Sequence, residues 1–350
     1  MATATGVYHT DYRRDLALRH TRAEHVRLVL LAAVVVAAPF YLEDYWLEVV
    51  NTAGIAVVAA VGLNILTGYT GLISLGTGAF LGVGGYTAAN VIARADLPTP
   101  LGWLAAVVVA AALGAFFGLP ALRLKGLYLA IATLAAQYIL LYLFRNADAI
   151  TGGVDSVVVA KPEVAGYKLN SDFVWYWIIV AVAALVVIGA VNLFRTGLGR
   201  AFIAIRDQDI AAEVIGVNVG RYKILVFALS VGLAGLSGAM TASYRGVVSW
   251  ERYTLEESIL FVAMIIVGGL GSVSGAVYGA LFIVWLPAYI QRVGPQLENL
   301  GLDVLYRELP AVQVAAFGLV IVLFLLFEPR GIARLWQRIK DYFRLWPFRY

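Results

Sequence analysis

The 350 residues carry 26 Lys and Arg against 22 Asp and Glu, a net charge of +4, with 61 % hydrophobic and 14 % charged side chains and a mean hydropathy of +0.84. A soluble domain has about 25 % charged residues and roughly 45–50 % apolar ones, so this composition excludes a water-solvated globule and predicts a chain dissolved in lipid. Without Cys there are no disulfides, thiolate metal sites or Cys nucleophiles, and the His residues (His9, His20 and His25) fall in the N-terminal tail, away from any buried metal cluster or proton relay.

Residues 1–27 hold Arg13, Arg14, Arg19, Arg22 and Arg27, and are too long and polar for a cleavable signal; they read as a retained cytosolic arm. Uncharged runs follow at 28–42, 49–93, 97–122, 126–144, 173–194, 224–244, 258–290 and 309–327. A span takes about 20 apolar residues, and these Ala/Leu/Val/Gly runs lack the period-2 alternation of a barrel strand, so they predict helices. The run 49–93 is too long for one crossing and predicts two helices broken at Gly68-Tyr69-Thr70-Gly71. The run 258–290 is open between one long helix and two short ones hinged at Gly268-Gly269-Leu270-Gly271. The tail from 328 to 350 interleaves cations with Trp336, Tyr342, Phe343, Trp346 and Phe348, and reads as an interfacial amphipathic helix in preference to a nucleic-acid-binding segment.

Charge fixes the parity. With ten crossings and both ends cytosolic, the inner connections and tails hold 18 basic and 8 acidic residues and the outer ones 8 basic and 14 acidic, as the positive-inside rule requires. The expected fold is an all-α polytopic membrane protein of about ten transmembrane helices with two Gly-broken hairpins. Its parts are the cytosolic arm 1–27, a transmembrane domain 28–327 with a cytosolic connection at 195–223, and the basic tail 328–350.

The two broken segments are alike: Gly68-x-x-Gly71-x-x-Ser74 matches Gly268-x-x-Gly271-x-x-Ser274. Unwound backbone at membrane depth is tolerated where it lines a cavity, so paired Gly-interrupted segments point to a solute path. The competing reading is that the glycines only let helices pack closely. Candidate lining groups are Asn64, Thr67, Gly68, Tyr69, Thr70, Gly71, Ser74, Thr77, Gln137, Gly268, Gly271, Ser272 and Ser274; each hydroxyl or amide has the alternative of a plain interhelical hydrogen bond.

The cytosolic connection, FRTGLGRAFIAIRDQDIAAEVIGVNVGRYK, contains a short amphipathic helix. Asp207, Gln208 and Asp209 suit its N-terminus, Ile210, Val214 and Val217 make one apolar stripe, and Gly216 and Asn218 end it. With Ala211 and Ala212 small and Glu213 beside them, this helix either docks into a soluble partner or lies at the membrane interface.

Residues 62–90 (GLNILTGYTGLISLGTGAFLGVGGYTAAN), 123–156 and 199–292, together with FEPRGI near the end, resemble the branched-chain amino-acid ABC permeases. The resemblance runs from Gly62 to Ile332. It implies that the segment Arg206, Asp207, Asp209, Ile210, Ala211-Ala212-Glu213 and Gly216 is the coupling motif seated in a nucleotide-binding subunit. It further implies ATPase subunits, a second homologous permease and an extracytoplasmic solute-binding protein as partners, in a bacterial inner membrane. Two positions depart from the pattern: Thr77 stands where relatives commonly have His, and Gln137 where they commonly have Glu. Both remove an ionisable group, which leaves the solute open among branched-chain amino acids, amides, urea and aromatic acids.

Energy coupling follows the same line. No charged residue falls within the uncharged runs, and no Gly-x-x-x-x-Gly-Lys-Ser/Thr loop exists. A permease driven by separate ATPase subunits satisfies both, with no cofactor and no catalytic site of its own; the alternative is an ATP-independent facilitator.

Overall fold

The computed structural model describes residues 22–153, 155–159, 163–164, 167–168, 171–299, 309–328 and 331–345. Most of the predicted N-terminal arm, much of the outer connection before 309 and the last five residues of the tail lie outside them. Residues up to Leu47 form one compact unit and Glu48 onward another. The helices are α1 (Arg22–Tyr41), α2 (Asp44–Leu63), α3 (Thr77–Ala93), α4 (Thr99–Gly118), α5 (Leu127–Asn146), α6 (Asp148–Thr151) and α7 (Asp172–Leu193). There follow α8 (Gly197–Asp207), α9 (Asp209–Val214), α10 (Val219–Arg245), α11 (Leu255–Gly268), α12 (Val273–Asn299), α13 (Leu309–Phe327) and α14 (Gly331–Leu345).

The fold is all-α. Among the described residues, six helical segments are long and apolar enough to cross a membrane: Asp44–Gly68, Thr99–Leu122, Leu127–Asn146, Asp172–Leu193, Val219–Arg245 and Val273–Gly294. Val29–Tyr41 and Ala311–Phe324 are shorter apolar helices, and α3 and α11 have 17 and 14 residues. The only strands among the described residues are two-residue pairs, of which Val157–Val158 against Val247–Val248 ties two connections together.

Helix α10 is the axis of the second unit. In lipid there is no hydrophobic gain in joining two apolar helices, so close backbone approach has to supply the packing. The sequence meets this with small residues every fourth position on α4: Gly102, Ala106, Ala110, Gly114 and Gly118 are all buried. They make a flat stripe against α10, where a methyl on Gly114 would meet the Phe227 carbonyl at 2.8 Å and Val231 Cβ at 2.6 Å. On the other side of α10, Gly84 of α3 abuts the Gly235 backbone and Gly238 abuts the Leu81 backbone. The opposite face of α4 carries exposed Leu101, Leu104, Val108 and Phe116, the face left for lipid.

Helix α2 lies along the same bundle, with Ser237 Oγ donating to the Ile55 carbonyl at 2.9 Å. Helices α11 and α12 form a tight hairpin in which Gly268 sits on the Gly275 carbonyl and Gly279 on that of Met264. This resolves the open reading of 258–290: two helices, hinged at Gly269 (φ +123) and Gly271 (φ +74), backbone that only Gly adopts without strain. The second of them continues to Asn299, well past the predicted end at 290. The tail helix α14 begins at Gly331 (φ +73), close against the backbone of Gly268 and Gly269, with Arg338 Nη1 donating to Glu328 Oε2 at 2.6 Å.

The stripe predicts an asymmetry. Ala110→Leu, on the packed face, lowers stability by roughly 1–3 kcal/mol through overpacking, whereas Val108→Leu on the lipid face changes it little. Thermal unfolding of the detergent-solubilised chain measures both.

Candidate functional site

The two Gly-broken segments meet. Residues 64–68 form one π-helical turn, in which the Tyr69 N–H bonds back to the Asn64 carbonyl, and the chain then runs without regular structure from Gly71 (φ +72) to Gly76 before α3 begins. The break therefore starts at Gly71, the last residue of the predicted Gly68–Gly71 segment. From within the widened turn, the Asn64 side chain donates from Nδ2 to the Ser272 carbonyl at 2.7 Å and accepts the Gly271 N–H at Oδ1 at 2.9 Å. Tyr69 Oη accepts the Val273 N–H at 3.2 Å. A methyl on Gly68 would collide with both Asn64 Oδ1 and Gly271 N, so only glycine permits this crossing. One buried amide thus satisfies backbone groups on the second break that no helix serves.

Thr67 and Thr70 bond inside the first break, their hydroxyls donating to the carbonyls of Leu72 and Ile65 at 3.1 Å each. Ser272 and Ser274 share a hydrogen bond of 3.1 Å at the mouth of the second, and Ser274 is exposed.

Gln137 belongs to a different knot. Helix α3 starts inside the bundle, so its first N–H groups have no water to turn to. Gly78 N donates to Ser258 Oγ at 2.8 Å, and Ala79 N to Gln137 Oε1 at 2.7 Å. Ser258 Oγ donates to the same Oε1 at 3.0 Å, while Gln137 Nε2 donates to the Tyr253 carbonyl at 2.7 Å. The neighbouring Leu75 N–H goes to Thr133 Oγ1 at 2.9 Å. Thr77, Ser74 and Gln137 are all buried here. Because the site uses both an acceptor and a donor on one side chain, it calls for an amide; an ionised Glu lacks the donor.

The connection at 195–223 contains two helices in place of the one predicted. Gln208 is extended (φ −161, ψ 104), so Asp207 ends α8 and only Asp209 opens α9. Asp209 is clamped by two lysines, Lys125 Nζ at 2.5 Å and the buried Lys223 Nζ at 3.7 Å. The hydrogen bond from Lys125, with the charge of Lys223 added, holds its carboxyl below the usual carboxylate range. Ala212 is buried against the chain, while Ile210, Val214 and Ile215 are 68 %, 83 % and 76 % exposed, and Ala211, Glu213 and Gly216 are exposed with them. Val217, the third stripe position predicted, is half-buried, and Ile215 is exposed alongside the other two.

Arg206, at the end of α8, reaches the crossing: a methyl on Gly71 would lie 3.5 Å from its Cγ, and one on Gly271 2.7 Å from its Nη1. Tyr69 stacks on Phe194, the residue that caps the C-terminus of α7, at 3.5 Å between ring centroids and 16° between planes. The glycine breaks and the connection at 195–223 are thus at one level.

A cavity of about 280 Å³ lies between α2, α3, α10, α11 and α12. Its apolar wall includes Ile55, Leu81, Leu260, Phe261, Met264 and Ile283. Its polar lining is Thr52, Ser237, Thr241, Tyr244, Arg245, Arg252, Tyr253 and Glu257, and none of the predicted path residues lines it. The connection expected at 245–257 does not stay at the surface throughout, since Tyr253 is buried. After Trp250, whose ring carries the Arg145 guanidinium 4.2 Å from its centroid, the chain turns inward, and the Tyr253 carbonyl meets Gln137, ten residues into the 20-residue α5. Glu257 then sits in the first turn of α11, inside the bundle, because Ser258 and Gln137 anchor that turn to α3. The legible signal was a polar face on α10, with Ser237, Thr241 and Arg245 at four-residue spacing. Among the described residues no group of His, Cys, Asp or Glu is arranged to hold a metal ion.

Comparison with known proteins closes the description. The sequence profile of a family described as branched-chain amino acid transport system / permease component matches residues 45–327. The high-affinity branched-chain amino acid transport system permease protein LivM of Escherichia coli is 30 % identical over 87 % of this chain and 74 % of its own length. The autoinducer 2 import system permease LsrC of an Enterobacter species is 28 % identical over 73 % and 74 %, and the ribose import permease RbsC of Escherichia coli 27 % identical over 76 % and 84 %. No solved structure matches the chain.

The Gln137 knot makes a sharp prediction. Gln137→Glu removes the donor to the Tyr253 carbonyl and places a carboxylate against it, costing roughly 1–3 kcal/mol of stability at neutral pH. A thermal unfolding midpoint unchanged from wild type would show that the knot is not formed as described.

Proposed function

The chain belongs to the branched-chain amino acid transport system permease family, and we propose that it is the membrane-spanning permease of an ATP-driven importer for branched-chain or related hydrophobic amino acids. Its working assembly contains two ATPase subunits, a homologous second permease and an extracytoplasmic binding protein that delivers the solute. The ten apolar segments are read as crossings or half-crossings with both ends cytosolic, in a bacterial inner membrane. The ATPase subunits supply the energy; the permease supplies the path and the transmission.

The observation that carries this reading is the geometry of α9. Six residues expose Ile210 and Val214 on one face, and Asp209 is locked to the bundle by Lys125 and Lys223. An exposed apolar face on a clamped, short helix suits insertion into a cleft of a soluble subunit, because the clamp passes the force on. Lys223 stands on α10, the axis of the bundle, and Lys125 on the connection into α5. Arg206, two residues before the hinge at Gln208, touches the glycine crossing. Movement of α9 on ATP binding is therefore transmitted to the helices that wall the cavity and to the two unwound turns beneath it. The candidate residues Asn64, Gly68, Tyr69, Gly71, Gly271 and Ser272 act in this account as the inner gate. Thr67, Thr70, Ser74, Thr77, Gln137, Gly268 and Ser274 support the break or the knot beside it.

Reconstitution of the full complex in liposomes tests the proposal. Asp209→Asn leaves the docking face intact and weakens the clamp, so uptake falls about tenfold or more while the subunits still co-purify and hydrolyse ATP. Glu213→Lys, on the exposed side, impairs stimulation of ATP hydrolysis by loaded binding protein. Uptake down a gradient without ATPase subunits, indifferent to both substitutions, contradicts the proposal and identifies a facilitator.

A further inference from the structure

An unpaired charge inside a membrane protein is costly and is kept where function needs it. The cavity between α2, α3, α10, α11 and α12 holds two of opposite sign. Arg245 is engaged, its Nη1 on Glu48 Oε1 at 2.7 Å and its Nη2 on Thr52 Oγ1 at 3.2 Å. Arg252 and Glu257 are different: neither side chain makes a hydrogen bond or a close ion pair with another described residue, although the Arg252 charge is near enough to act on Glu257. Glu257 is half-buried and Arg252 exposed, so the pair stands from the cavity wall to its mouth. The rest of the lining is mostly aliphatic and aromatic, with Ile55, Leu81 and Ile283 from other helices and Leu260, Phe261 and Met264 continuing the face of α11 that carries Glu257. At about 280 Å³ the cavity falls just below the roughly 300–1,000 Å³ usual for ligand pockets, which suits a small solute.

We propose that this cavity is the membrane-side binding site for an α-amino acid zwitterion, with Glu257 receiving the ammonium, Arg252 the carboxylate and the apolar wall the aliphatic side chain. The proposal rests on the importer reading above and narrows it: the permease itself selects its solute, in addition to whatever its binding protein does. Two unlike charges left open to one cavity match a molecule that carries both and has an apolar remainder. A neutral sugar brings no charge to offset the desolvation of either, and an amide or urea lacks both head groups. The binding site is also held by the site described above, since the Tyr253 carbonyl is fixed by Gln137 and the first turn of α11 by Ser258. The residues between and beside those anchors are Arg252 and Glu257, so the knot sets where the two charges stand.

The test uses the full complex in liposomes with its ATPase subunits, leucine-loaded binding protein and radiolabelled leucine. Because the binding protein is unaltered, any change arises in the membrane. Glu257→Gln and Arg252→Gln, each losing one charge-assisted hydrogen bond to the solute, are expected to lower leucine uptake per ATP hydrolysed by about ten- to a hundredfold, while the complex elutes intact. Leu260→Trp, which keeps both charges and narrows the apolar wall, is expected to lower leucine uptake more than alanine uptake. Wild-type uptake in both charge variants overturns the inference and leaves the importer assignment standing. A wild-type complex that hydrolyses ATP and imports ribose but no amino acid overturns the inference together with the substrate reading.

Discussion

The Asn64 amide is the contact on which the rest of the arrangement depends. Two helices are broken where their chains cross, which leaves N–H and C=O groups without intrahelical partners. Each break answers the other, with Asn64 taking the Gly271 N–H and giving to the Ser272 carbonyl, and with Gly68 allowing the backbones to touch. The π-helical turn at Asn64–Gly68 widens the helix where this exchange occurs. Two unstable segments become one joint, and Arg206 rests on it from the end of α8.

Above the joint, the start of α3 inside the bundle creates a second shortage of hydrogen-bond partners, and Gln137, Ser258 and Thr133 meet it. The same knot draws the chain after Trp250 inward, and with it Arg252 and Glu257. Below the joint, the two lysines that hold Asp209 fix a short helix whose apolar face has no partner within the described chain. A cavity, a joint and a handle therefore follow one another along the bundle, connected by α10 and by the glycine hairpins. Stripes of small residues on α3, α4 and α10 hold this line together with backbone contact, since lipid offers no hydrophobic drive.

Much of this was legible in the sequence. The paired Gly-x-x-Gly-x-x-Ser segments marked both breaks, the charge-free runs marked the helices, and the connection at 195–223 showed its exposed apolar face through Ile210 and Val214. What stayed hidden was whatever depends on contacts between distant segments. That the two breaks touch follows from Asn64 meeting Gly271 across 207 positions, which no local pattern reports. Gln137 read as a loss of charge beside a path, whereas its surroundings use an amide for its donor and acceptor together. Arg252 and Glu257 were counted among the outer connections because charge next to an apolar run looks like a loop end. Their descent into the bundle is imposed by the Tyr253–Gln137 bond. The single helix expected from 207 to 217 starts only at Asp209 because Gln208 is extended, and a separate helix, Gly197–Asp207, precedes it, which the stripe of Ile210, Val214 and Val217 does not report.

The most direct test of this account is the ratio of solute transported to ATP hydrolysed in the reconstituted complex carrying Asn64→Leu. Leucine preserves the bulk of the side chain and removes both bonds between the breaks, leaving α9, its clamp and the cavity as they are. The account predicts that ATP hydrolysis persists while transport per ATP falls at least tenfold. A ratio equal to that of the wild type, in a complex that assembles normally, would contradict the claim that the crossed glycine breaks form the joint through which the coupling helix acts.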